Sequence, residues 1–191
     1  MNRFLNPFRY LAGTKALAWG LLFILLTAGV LRAASMVQDS LLHFAFVRDL
    51  SFGRVLAVEL ALWLLPAVVL YGAGLLLSRS KIRPIDVLGT TAFAQLPLLP
   101  MNLPFLFPQM KTWTEGLRHT VLAGGMPETG TLVLLTVYGF VAIALLVFFY
   151  LWNYRAFSVS CNVRGPKAIA AFIVVQALCM LSAPRLVAWM L

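Results

Sequence analysis

Acidic residues are scarce in this chain. Its 191 residues include 6 Asp+Glu against 15 Lys+Arg, with 2 His and 2 Cys, and charged residues make up only 11% of the whole. Soluble domains carry about 25%. Each shortage removes a class of function. His43 and His119 fall in different connections between apolar runs, so no imidazole pair stands at metal-ligand spacing. Cys161 and Cys179 form neither a CxxC motif nor a disulfide framework. The acids are scattered rather than paired, and no GxSxG, HExxH or GxxxxGK[ST] stretch occurs. The sequence therefore predicts no catalytic residues, no metal site and no cofactor, and the chain reads as a non-enzyme.

What the chain has in excess is apolar surface. Hydrophobic residues are 62% of it and the mean hydropathy is +0.92. A water-surrounded core of this size cannot hide so many apolar side chains, so this is an integral membrane protein by sequence. The net charge of +9 then reads as membrane orientation and attraction to lipid headgroups, not as nucleic-acid binding.

Crossing a hydrocarbon core of roughly 30 Å takes about 20 helical residues. Five stretches qualify, at about 16–34, 55–77, 84–104, 130–152 and 168–187. The predicted fold is all-α, a single-domain integral membrane bundle of five transmembrane helices spanning 1–191. The second span carries Glu59 in its first turns and Pro66 in its middle. In the third, Pro97, Pro100, Pro104 and Pro108 recur at intervals of three and four, so the helix is expected to end or break near Pro97 to Pro104. Such a cluster reads first as a kink and exit, and alternatively as the broken helix of a transporter site.

Short cytoplasmic loops collect Lys and Arg. With the amino terminus inside, the inner segments hold Arg3, Arg9, Lys15, Arg79, Lys81, Arg83, Arg155, Arg164 and Lys167. The outer side keeps Arg32, Arg48, Arg54, Lys111, Arg118 and Arg185. This places the amino terminus in the cytoplasm and the carboxy terminus outside. Tyr150, Trp152 and Tyr154 then sit at the inner interface and Trp189 at the outer one. The basic start followed by an apolar run is not read as a cleaved leader, because Arg32 would occupy a cleavage position that wants a small residue. Residues 1–15, with Phe4, Leu5, Phe8 and Leu11 at helical spacing beside Arg3 and Arg9, make a short cytoplasmic amphipathic tail, either a helix in the headgroup layer or a frayed end.

Polar residues inside an apolar span are candidates by default. Glu59 lies ~7 Å beyond Arg54, shallow enough to reach the outer interface or pair with Arg32. Asp86 follows Arg83-Pro84-Ile85, where proline suits a first helical position and an acid suits the helix dipole. Gln95 and Gln176 both fall roughly 12–16 Å into their spans, a depth at which a hydrogen bond between them would join spans three and five. Alternatively, they line a polar path. Ala16 with Gly20, and Gly74 with Ser78, have the four-residue spacing of close helix contacts.

Three stretches resemble the bacterial branch of the Yip1 family of multi-pass membrane proteins. They are Asn6-Pro7-Phe8-Arg9, the run from Ser80 through Asp86 to Pro97 with its basic loop and Leu-Pro, and the run from Asn153 through Arg164 to Ala168 that leads into the last span. The resemblance covers nearly the whole chain and implies a five-span helical bundle with a cytosolic amino terminus. For eukaryotic members it implies membrane traffic through contacts with Rab GTPases. This chain has only 15 residues before its first span and no loop long enough for a docking domain, so a Rab-type partner does not carry over.

Two functions are expected. The first is a membrane scaffold or adaptor in the cell's inner membrane, whose basic cytoplasmic face contacts membrane lipids, a membrane-protein partner or a second copy of itself. That face comprises Arg79, Lys81, Arg83, Asp86, Arg155, Arg164 and Lys167. The second is a small permease or channel using Glu59, Gln95, Asn102 and Gln176. A polar cavity favours the second and closed apolar packing the first.

Overall fold

The computed structural model describes residues 6–40, 43–47, 50–78 and 80–191. Arg79, named above as a candidate contact, and residues 1–5 of the tail lie outside the described residues. The fold is all-α apart from one small hairpin. Among the described residues four helices are long and apolar enough to cross a membrane: α1 (Gly13–Ala33), α2 (Phe52–Leu77), α6 (Thr129–Ser160) and α7 (Pro166–Met190). Only 6% of the most apolar stretch of α6 is buried in protein. Val133, Val137, Val141 and Val147 face outward along it, the apolar surface expected of a helix that crosses a membrane.

The third expected span is not a fifth long helix. It divides into α3 (Pro84–Phe93), α4 (Leu98–Asn102) and a 3-10 turn (Leu103–Leu106), followed by α5 (Pro108–Leu122). The prolines explain the divisions. Pro97 has no N–H, and its ring would strike the Phe93 carbonyl if the helix continued, so α3 ends at Phe93, a few residues before the expected break. Pro97 then caps the start of α4, and Pro104 and Pro108 occupy the first turns of the next two pieces.

These pieces travel the whole length of α1. Gly89 packs on Gly13 and Leu17, and Ala92 lies so close to Gly20 that a β-carbon on that glycine would collide with it. Farther along, Phe105 joins Ala28 and Leu31 in one apolar cluster, and Lys111 Nζ donates to the Ala34 carbonyl at 3.4 Å. The 21 residues of α1 rise ~31 Å, the thickness of a hydrocarbon core. Cross-links hold the assembly: Trp63 Nε1 donates to Thr91 Oγ1 at 3.2 Å between α2 and α3, and Tyr138 OH donates to the Met101 carbonyl at 3.1 Å between α6 and α4.

Two elements were not expected. The span boundaries make 35–54 an outer connection, but the structure folds part of it into an antiparallel hairpin, β1 (Met36–Ser40) and β2 (His43–Phe46). Ser35 takes a left-handed φ of 54° and reverses the chain at the end of α1, and Val47 N–H closes the neck on the Ser35 carbonyl at 3.1 Å. The hairpin enters the bundle, where Met36, Val37 and Gln38 are all buried and Phe44 packs on Phe105. Strand edges are tolerated at membrane depth only under such protein cover. The other is α5, an amphipathic helix with Met110 buried and Lys111 over the Phe46 ring at 4.9 Å.

At the opposite end the described part of the tail is neither a helix on the surface nor a frayed end. Pro7–Arg9 forms a 3-10 turn that sets Phe8 edge-on against the stacked pair Phe93 and Trp152, with centroids 6.2 and 5.9 Å away.

Candidate functional site

Three of the four intramembrane polar candidates, Glu59, Gln95 and Gln176, share one central cavity of about 40 Å³ with Asn153, which depth did not single out. Glu59 reaches it from α2, Gln95 from the turn that Pro97 imposes after α3, Gln176 from α7, and Asn153 from α6. Gln38 and Ser40 of the hairpin close it, with Ile24 and Thr27 of α1 on another side. The hairpin residues had no signal in the span pattern, because a glutamine in a connection reads as solvated.

Glu59 is deeper than its place along α2 implies. The hairpin residues Gln38 and Ser40 line the same cavity, and Glu59 is 7% exposed. No ion pair joins it to Arg32, whose side chain is exposed, which corrects the expected pairing. Its Oε1 has no hydrogen-bond partner, and neither has Gln38 Oε1, in a residue 1% exposed.

Gln95 and Gln176 share the cavity without the expected hydrogen bond between them. Gln95 Nε2 instead turns back to the Thr91 carbonyl at 3.5 Å, and Asn153 Nδ2 likewise donates to the Phe149 carbonyl at 3.0 Å. Each amide thus commits a donor to its own helix. Two prolines add to the same bias toward acceptors. Pro66 in α2 and Pro184 in α7 lack the N–H that would engage the carbonyls of Leu62 and Met180, and both of those residues line the cavity. The site is rich in oxygen, carries one carboxylate, and has no Lys, Arg or His among its described lining residues.

Asn102 is fully buried with neither side-chain atom partnered, but it lies outside the lining, so the structure does not bring it to Glu59.

The basic candidates gather at the end where α1 begins. Arg155 and Arg164 line a cleft together with Arg9 and Asn6, and Arg164 and Lys167 line an adjoining one with Ser78 and Ser80. Lys81 and Arg83 are exposed on the approach to α3. Asp86 stands in the first turn of α3 as expected. Its carboxylate also faces the start of α1, with Oδ1 3.3 Å from where a β-carbon on Gly13 would sit, so two helix N-termini share it. The Asp86 carbonyl accepts from Thr90 Oγ1 at 2.7 Å and Ser160 Oγ at 3.3 Å, tying α3 to the end of α6.

Comparison with protein-family models, with curated proteins and with solved structures finds nothing that matches this chain.

Proposed function

We propose that this chain is a small multi-pass carrier or channel that takes a small monovalent cation, the proton included, at Glu59. The observation that carries the reading is the pair of unpartnered acceptor oxygens, Glu59 Oε1 and Gln38 Oε1, on one intramembrane cavity. A carboxylate at that depth loses its hydration and is tolerated only with a proton or a counter-charge. No cationic side chain among the described residues lines the cavity, and in this reading a bound proton or cation supplies the charge. At about 40 Å³ the cavity holds about three water-sized groups, which suits a partly hydrated ion and excludes a sugar or an amino acid.

In this reading the pieces from α3 to the 3-10 turn make the third of five crossings, since they run beside α1 from Gly13 to Ala34. The amino terminus is cytoplasmic in an inner membrane and the carboxy terminus is outside, by the distribution of basic residues. A membrane-organising role of the Yip1 kind is a second reading. It is supported by the gathering of Arg155 and Arg164 around Arg9 at the cytoplasmic end.

Reconstituted vesicles test the first reading. Under an imposed potential, wild-type protein is expected to pass H⁺, Na⁺ or K⁺, and Glu59→Gln, selected for a wild-type melting temperature, is expected to abolish the flux. Equal flux through Glu59→Gln, or no flux of any of the three ions in the wild type, overturns it.

A further inference from the structure

The cleft at the start of α1 has a composition that the bundle itself does not account for. It is an open recess of about 680 Å³, and three guanidinium groups line it, those of Arg9, Arg155 and Arg164, with no carboxylate among its described lining residues. Three like charges brought to one recess repel one another unless an anion lies between them.

Each arginine is placed there by a specific device. Arg9 follows Phe8, which is anchored edge-on against the stacked rings of Phe93 and Trp152. Arg155 projects from the last turns of α6, three residues past Trp152 at the end of that helix's apolar run. Arg164 stands in the tight link to α7, between Asn162 at φ 51° and Gly165 at φ 80°. There Ser158 Oγ donates to the Val163 carbonyl at 2.7 Å and the Val163 N–H returns to the Ser158 carbonyl at 3.1 Å. Of the lining residues, Arg155 has an Nε that is buried without a hydrogen-bond partner. A buried guanidinium donor with no acceptor costs free energy that an oxyanion would recover.

We infer that Arg9, Arg155 and Arg164 form a binding site for a phosphate group, presented either by an anionic lipid headgroup or as free phosphate. The fork of an arginine matches a phosphate's oxygens two at a time, which a lysine cannot do. The depth suits a lipid, because the site begins where the apolar part of α6 ends and Tyr154 shares its lining. The site contains none of the residues of the Glu59 cavity, so it stands or falls separately from the cation reading.

The test uses the full chain, purified and stripped of lipid. Retention of phosphatidylglycerol, of phosphatidylcholine and of inorganic phosphate is counted by native mass spectrometry. One phosphatidylglycerol per chain is expected, with phosphatidylcholine released. Arg155→Gln combined with Arg164→Gln is expected to weaken retention about thirtyfold, from two headgroup-level charges. Arg155→Lys is expected to fall between the two, and Lys111→Gln at the other end of the bundle to change nothing. Binding of inorganic phosphate with no preference between the two lipids, lost in the same double variant, supports the site and assigns it to free phosphate. Equal retention of both lipids with no phosphate binding overturns the inference. So does full retention in the double variant. Should that variant fail to fold, retention by Arg155→Lys equal to wild type overturns it too.

Discussion

Gln38, in the middle of β1, and Glu59, two turns into α2, each bring to the same cavity an acceptor oxygen that no donor reaches. A bundle selected only for stability would not keep two such oxygens at its centre, since each unmade bond costs about 1–3 kcal/mol. In the proposed reading a bound cation satisfies both oxygens.

One consequence is a trade between stability and function at Gln38. Replacing it by methionine keeps the volume and removes a buried polar group without a partner. Gln38→Met is expected to raise stability by about 1 kcal/mol while lowering cation flux. Thermal unfolding in detergent and vesicle flux measured on one preparation check both halves. A variant that is both less stable and fully active contradicts the assignment.

Glycines on α1 separate close packing from helix propensity. Gly20 has no room for a β-carbon against Ala92, whereas Gly29 has nothing within 4 Å. Gly20→Ala is expected to cost about 1–3 kcal/mol through forced separation of α1 and α3. Gly29→Ala is expected to gain about 0.5–1 kcal/mol by reducing backbone freedom. Melting temperatures shifting in opposite directions are the expected result.

Between α2 and α3, Trp63 Nε1 donates to Thr91 Oγ1 at 3.2 Å in a buried contact. Thr91→Val keeps the shape and strands the indole N–H, at an expected cost of about 1–2 kcal/mol. Made together with Trp63→Phe, the same change is expected to add little. The double-mutant cycle in unfolding free energy measures the coupling, and additive effects contradict it.

Cys161, just past the end of α6, is a free thiol that burial pushes up to about 11 from an ordinary value of 9.0. Between those values the folded chain keeps a proton that the unfolded chain releases. Stability from this group is therefore complete below pH 9 and falls as pH rises toward 11. Melting temperatures of Cys161→Ala across that window are expected to decline less steeply than those of the wild type. Maleimide is expected to modify the folded wild type only slowly near neutral pH.

What the residue pattern revealed, and what it hid, follows from how local each signal is. Proline acts on the turn it occupies, so the interruption of 84–104 could be foreseen, although its place at Phe93 follows from the clash of Pro97 with the carbonyl four residues back. Depth along a span brought Gln95 and Gln176 to one level, but their rotamers, and so the missing bond between them, depend on neighbours. The hairpin was hidden because Met36, Val37 and Gln38 are strand residues only under cover from α1, α2 and α7. Helix α5 left a signal, with Met110, Trp113, Leu117 and Val121 at helical spacing, that its charges disguised as a loop. Asn102 is fully buried, but the side chains that line the cavity do not include it, a placement that depth along a span does not give.

The most direct measurement is the infrared difference spectrum of the reconstituted protein as H⁺, Na⁺ or K⁺ is exchanged for a bulky organic cation. The carboxyl and carboxylate bands of Glu59 report whether it takes up the proton or the ion. An ion-dependent carboxyl signal that is absent from Glu59→Gln is expected. A difference spectrum that is the same in wild type and Glu59→Gln would contradict it.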